Sequence, residues 1–142
     1  MKAIQLSIIC LLAMFIFSNN IYADHGWKLQ TGYRYTMAII GTITIDGVKN
    51  NLTDKNKVYI AAFGEDGKCR SISKIGDKAL NLSSDEFYMD IASNTNGEKI
   101  TFKVYDDLYN IFYNINNDLI FLDGGKKDYF SLKFNAQKMF NN

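Results

Sequence analysis

Histidine occurs once in the 142 residues, proline is absent, and cysteine occurs only twice. Each scarcity removes a class of function. A Ser-His-Asp arrangement would have to draw its base from His25, close to the start of the expected mature chain, where ends fray. Zinc sites take three or four ligands from His, Cys and acids, and no such grouping is present. Copper held by an Asp24-His25 terminus would lack the second histidine of oxidative polysaccharide enzymes, so copper chemistry is not expected. With Cys10 inside an apolar leader, Cys69 has no partner for an intrachain disulfide. The fold must be held by its core.

Charge of one sign is also missing. Sixteen Lys and Arg face fifteen Asp and Glu, a formal charge of +1 with no basic block, so a nucleic-acid partner is not expected. The longest apolar run, Ile8 to Phe17, is shorter than the roughly 20 residues a bilayer requires, so the chain is not expected to span a membrane. Lys2, that run and a close on Ile21-Tyr22-Ala23 instead form the three parts of a signal peptide. Residues 1–23 are therefore read as a leader and 24–142 as one mature domain. The expected location is secreted, periplasmic or at the cell surface. Neither proline nor a Gly/Ser linker marks an internal boundary.

What the chain does have is 47% hydrophobic and 14% aromatic content, too rich for disorder. Short branched and aromatic segments recur, each closed by Gly, Asn or Asp, the mark of an all-β sandwich or barrel. In "YRYTMAIIGTITIDG" Tyr33, Tyr35, Met37 and Ile39 share a face, a bulge is expected at Ile40-Gly41, and Asp46-Gly47 turns the chain. Val58 to Phe63 is a continuous apolar run, the pattern of a strand covered on both faces. Glu65-Asp66-Gly67 then turns into "KCRSISKIG". "DEFYMDIASN" and "GEKITFKVYDD" alternate cleanly, and "NIFYNI", "DLIFLDGG" and "DYFSLKF" read as three shorter strands.

Three features invite a functional reading. Trp27, Tyr105, Tyr109 and Tyr113 could form a flat stacking surface for pyranose rings, or they could pack the core and its rim. Cys69 beside Arg70 is either a thiol activated by a cation or a small buried side chain, and burial is the expectation. The carboxylate pairs Glu65-Asp66, Asp85-Glu86 and Asp106-Asp107 read as turn-forming and solvated, because neighbours on a strand point to opposite faces. A calcium site at Asp106 and Asp107 with loop carbonyls is a weaker alternative to the expectation of no cofactor. Asn51 and Asn81 fit the N-glycosylation pattern in expected loops.

The order of these pieces also resembles a secreted β-sandwich module of bacterial surface proteins, often repeated in tandem within large exported chains. The matching pieces are Tyr33, Tyr35 and Met37, "IDG" at 45–47, "AAF" at 61–63, "GKCR" at 67–70 and "GEKITFKVYD" at 97–106. The resemblance implies an extracellular binding or architectural module, with Asp46, Gly47, Cys69, Arg70 and Asp106 in structural roles. The expectation is thus an all-β, antiparallel Ig-like β-sandwich of about eight strands. It would act as a non-catalytic secreted or cell-surface binding or adhesion module for a glycan or a surface protein. A carbohydrate-binding module using the aromatic platform is the alternative, and a small secreted enzyme or inhibitor the third reading.

Overall fold

Strands form where branched and aromatic residues alternate with polar ones. The computed structural model describes residues 25–46, 48–49, 57–124 and 126–139. Its strands are β1 (Tyr35–Ile45), β2 (Val48–Lys49), β3 (Val58–Phe63), β4 (Cys69–Lys74), β5 (Glu86–Ser93), β6 (Lys99–Asp106), β7 (Ile111–Ile120) and β8 (Lys126–Lys138). One 3-10 turn, Lys78–Leu80, separates β4 from β5. Among the described residues no helix is long and apolar enough to cross a membrane. The leader expected at residues 1–23, with Cys10, lies outside the described residues, as do Gly47 and Asn51.

The all-β class holds, while the arrangement differs from two antiparallel sheets face to face. The strands make one sheet in the order β4-β3-β6-β7-β8-β1, with β5 paired on the free edge of β1 beside the short β2. All pairings are antiparallel except β1 with β8, which run parallel. The sheet then curls until its two ends meet. Ser73 Oγ of β4 donates to the Tyr88 carbonyl of β5, and the Gly76 N–H donates to the Glu86 carbonyl at 2.8 Å. The result is a seven-strand barrel, nearly closed. Alternation reports that one face of a strand is buried, which is true of sandwich and barrel alike, and it carries no information about the partner strand.

Two local expectations are also revised. "IFYNI" and "DLI" belong to one strand, β7, which shifts register between its pairings of Phe102 with Ile115 and Thr101 with Asp118. Two extra residues preserve the side-chain period, so Ile115 and Leu119 both stay buried. The irregularity expected at Ile40-Gly41 exists, but β1 keeps its alternation through Met37, Ile39, Gly41 and Ile43. Its partner β8 takes up the extra length, since Ile39 pairs with Lys127 and Gly41 with Leu132.

The barrel interior holds Met37, Ile60, Phe87, Ile91, Phe102 and Phe134 among its fully buried side chains. Phe134 stacks on Phe87 at 5.5 Å between centroids and meets Phe102 at 4.8 Å. Outside the barrel a second apolar layer covers β3. Ala61 and Tyr105 point outward from strands whose inward residues are Ile60, Ala62 and Val104, yet Ala61 is 0% exposed and Tyr105 2%. The cover is the segment 25–34, a strap that crosses β3 and β6 before entering β1. This explains the unbroken apolar run of Val58 to Phe63: its inner face meets the core and its outer face the strap.

Candidate functional site

The strap is anchored by rings. The His25 Nδ1 accepts the Trp27 N–H at 3.0 Å, which folds the imidazole onto the indole at 4.7 Å, nearly parallel. His25 also meets Tyr59 and Tyr105 edge-on at 5.6 and 5.9 Å. Trp27 meets Phe63, Phe112 and Tyr105 at 5.8, 5.8 and 6.3 Å, at angles of 66–77°. Farther along, Leu29 forms a bridge with Cys69, the Gln30 N–H donates to the Cys69 carbonyl at 3.0 Å, and the Tyr33 ring lies 4.2 Å from the Arg70 guanidinium. The strap therefore also borders the free edge of β4.

Beside the strap lies a groove of about 460 Å³, lined by Trp27, Phe63, Gly64, Glu65, Gly67, Lys99, Thr101 and Lys103. One wall is the indole with Phe63. The other is the β3–β4 turn, and the floor is the outward row of β6, where Lys99, Thr101 and Lys103 alternate with the buried Ile100, Phe102 and Val104. The cations differ in their commitments. Lys99 Nζ pairs with Asp118 at 2.7 Å, a hydrogen bond and a charge that raise its pKa, and its N–H donates to Glu65 Oε1 at 3.2 Å. Lys103 Nζ sits 5.4 Å above the Phe63 ring and makes no ion pair among the described residues.

A buried ion pair fixes the turn against β6. A bulge in β4, between the pairings of Ala62 with Ser71 and Phe63 with Cys69, inserts Arg70, which is 5% exposed. Its Nη2 lies 2.6 Å from Glu98 Oε1 and 3.0 Å from Asp66 Oδ1. Glu98 Oε1 also accepts the Glu65 N–H at 3.3 Å, and Oε2 accepts the Ser93 hydroxyl. Burial pushes the Glu98 carboxyl up, but the bonds from Ser93, Arg70 and the Glu65 backbone outweigh it and hold the pKa below the usual range. Gly64 is required here by close approach, because a Cβ would overlap Glu98 Oε1 and the guanidinium.

The four rings read from the sequence as a platform do not share a surface. Trp27 is half-buried at the groove, and Tyr105 is buried beneath the strap with its hydroxyl 3.1 Å from Asn110 Oδ1. Tyr113 points into the barrel core at 7% exposure, and Tyr109 stands 63% exposed on the β6–β7 turn. Asp106 is buried, and its Oδ1 accepts the N–H groups of Leu108 and Tyr109 at 3.0 and 3.3 Å, so it shapes that turn. Asp46 takes a positive φ of 50°, as a turn residue does, and its N–H donates to the Ala136 carbonyl at 2.8 Å. Among the described residues no three His, Cys, Asp or Glu side chains stand close enough to group around a metal ion. Asn81 is exposed in the left-handed region, closing the 3-10 turn.

Cys69 is buried, and burial raises its thiol to about 11 against a weaker opposing hydrogen bond with the Ser71 backbone. A thiol so shifted is almost wholly protonated at pH 8. Modification by a disulfide reagent at that pH is expected to be about 100-fold slower in the native protein than in the unfolded chain, because the thiolate is the nucleophile. Equal rates would place the thiol in solvent.

The groove residues missed by sequence reasoning are Phe63, Lys99, Thr101 and Lys103, and with them Tyr59 and Phe112, which pack against the strap. The outward row of β6 was readable in "KITFKV", where every second residue is polar. What hid it was the strap, because no local pattern says which outer face a flanking segment will cover. No family model matches the chain, and no curated protein or solved structure matches it either.

Proposed function

We propose that the chain is an exported, non-catalytic binding module acting at or beyond a bacterial cell surface, and that the groove beside the strap is its ligand site. The observation that carries this reading is the concavity itself. It has the volume typical of a small-ligand site, of order 300–1,000 Å³, with two rings on one wall and a few polar groups converging on it. It is built on paired strands and braced by a buried ion pair, so its shape exists before a ligand arrives. The carboxylate in the groove, Glu65, is engaged by the Lys99 backbone. Among the described residues that line the groove there is no second carboxylate, and the buried thiol is remote in reactivity, which supports binding over bond-breaking. The resemblance to secreted surface modules points the same way.

Carbohydrate is the favoured ligand class within that reading, because Trp27 presents an aromatic surface at the groove. The test is a screen of immobilised glycans and surface proteins with the full chain and with Thr101→Trp, which fills the groove from an exposed position. Saturable binding that falls about tenfold or more in the variant is expected, a loss equivalent to about 1.4 kcal/mol. Binding that is untouched by the filled groove would place the ligand site elsewhere.

A further inference from the structure

Resting on the binding reading, we infer that the groove takes an anionic sugar, a carboxylated pyranoside unit within a longer glycan, whose carboxylate pairs with Lys103. The charges of the groove lead to this ligand. Lys99 is already balanced by Asp118 and by the charge of the nearby Glu65, whose Oε1 also accepts the Lys99 N–H. Lys103 is left as a cation without a carboxylate among the described residues, held over the Phe63 ring at the mouth of an open groove. A ligand carboxylate supplies the missing partner.

Shape selects a sugar over other anions. Trp27 and Phe63 meet at 77°, forming a corner that grips one ring and leaves no flat plate for an extended crystalline face. Thr101 offers a hydroxyl to the ring's own hydroxyls. An acidic peptide would be expected to bind by adding a strand, but both edges of β6 are filled, by β3 on one side and β7 on the other. A phosphate would be expected to seek a guanidinium fork, and Arg70 beneath the turn is buried and committed to Glu98.

The experiment is calorimetric titration of the full chain with a hexuronate tetrasaccharide, its carboxyl-reduced neutral counterpart and a short poly-glutamate peptide, each at low and high salt. The uronate is expected to bind about five- to tenfold more tightly than its reduced form, as one charge-assisted hydrogen bond in a solvated groove provides. Lys103→Ala and added salt should each erase that difference while the circular dichroism spectrum stays unchanged. Equal binding of reduced and charged sugars would overturn the inference while leaving the groove as the ligand site. Poly-glutamate binding as tightly as the uronate, with the same dependence on Lys103, would replace the sugar by a peptide. Uronate binding that survives Thr101→Trp would overturn the inference and place the ligand site on another face of the barrel. No uronate binding would overturn the inference, with the glycan and protein screen then deciding the broader reading separately.

Discussion

Glu98→Ala is expected to destabilise the protein by about 3–5 kcal/mol, the usual cost of removing one partner from a buried ion pair. The loss exceeds the value of the contact because of what stays behind. Arg70 would remain buried with only the half-exposed Asp66 for a counter-charge, and its Nε and Nη1 already lack hydrogen-bond partners among the described residues. Ser93 and the Glu65 N–H would lose their acceptor at the same stroke. For a domain of this size the melting temperature should fall by more than about 10 °C.

The same residue predicts a pH dependence. The folded state holds the Glu98 carboxyl below its ordinary value of 4.5, so its contribution is complete above that value. As the pH falls below 4.5, the unfolded chain takes up the proton first, and the contribution is gone once the folded carboxyl titrates too. Thermal melts between about pH 3 and 7 should show wild type losing stability on the acid side, and Glu98→Ala losing less over the same window. A variant whose stability falls as steeply as wild type would mean that the acid response lies in other carboxylates.

Trp27→Ala should have the next largest effect, about 2–3 kcal/mol, somewhat below the 3–5 typical of fully buried aromatic truncations because the indole is half-buried. The ring is the centre of the outer layer, touching His25, Phe63, Tyr105 and Phe112. Its removal should loosen the strap while the barrel persists. Hydrogen exchange would show this as lost protection at the Gln30 amide, which donates to Cys69, with the amides of β6 and β7 still protected. A change within about 0.5 kcal/mol would mean that the outer layer does not depend on the indole.

Much of the architecture could be read from local pattern. Alternation placed Phe87, Met89 and Ile91 inward, as well as Ile100, Phe102 and Val104, and all six are buried. The Glu65-Asp66-Gly67 turn lies where expected, with Gly67 at φ 73°. Pairing was less visible. The parallel contact of β1 with β8 joins segments some ninety residues apart, and neither strand carries a mark of its partner's direction. Tyr105 and Tyr113 show the same limit at the site. Their sequences look alike, but Tyr105 faces outward beneath the strap and Tyr113 faces the core, so one platform could not include both. Arg70 illustrates a third limit, since a one-residue bulge that no local pattern announces makes it the buried partner of Glu98.

Because Trp27 is the sole tryptophan, its fluorescence reports on the groove and on the strap packed beside it. The most direct test of the groove as ligand site is therefore the Trp27 emission of the full chain titrated with the hexuronate tetrasaccharide or with any ligand the screen returns. The expected result is a saturable shift in intensity or wavelength that tracks the calorimetric isotherm and, for the uronate, disappears in Lys103→Glu. Calorimetric binding with no change in Trp27 emission would contradict it, and would move the ligand to another face of the barrel.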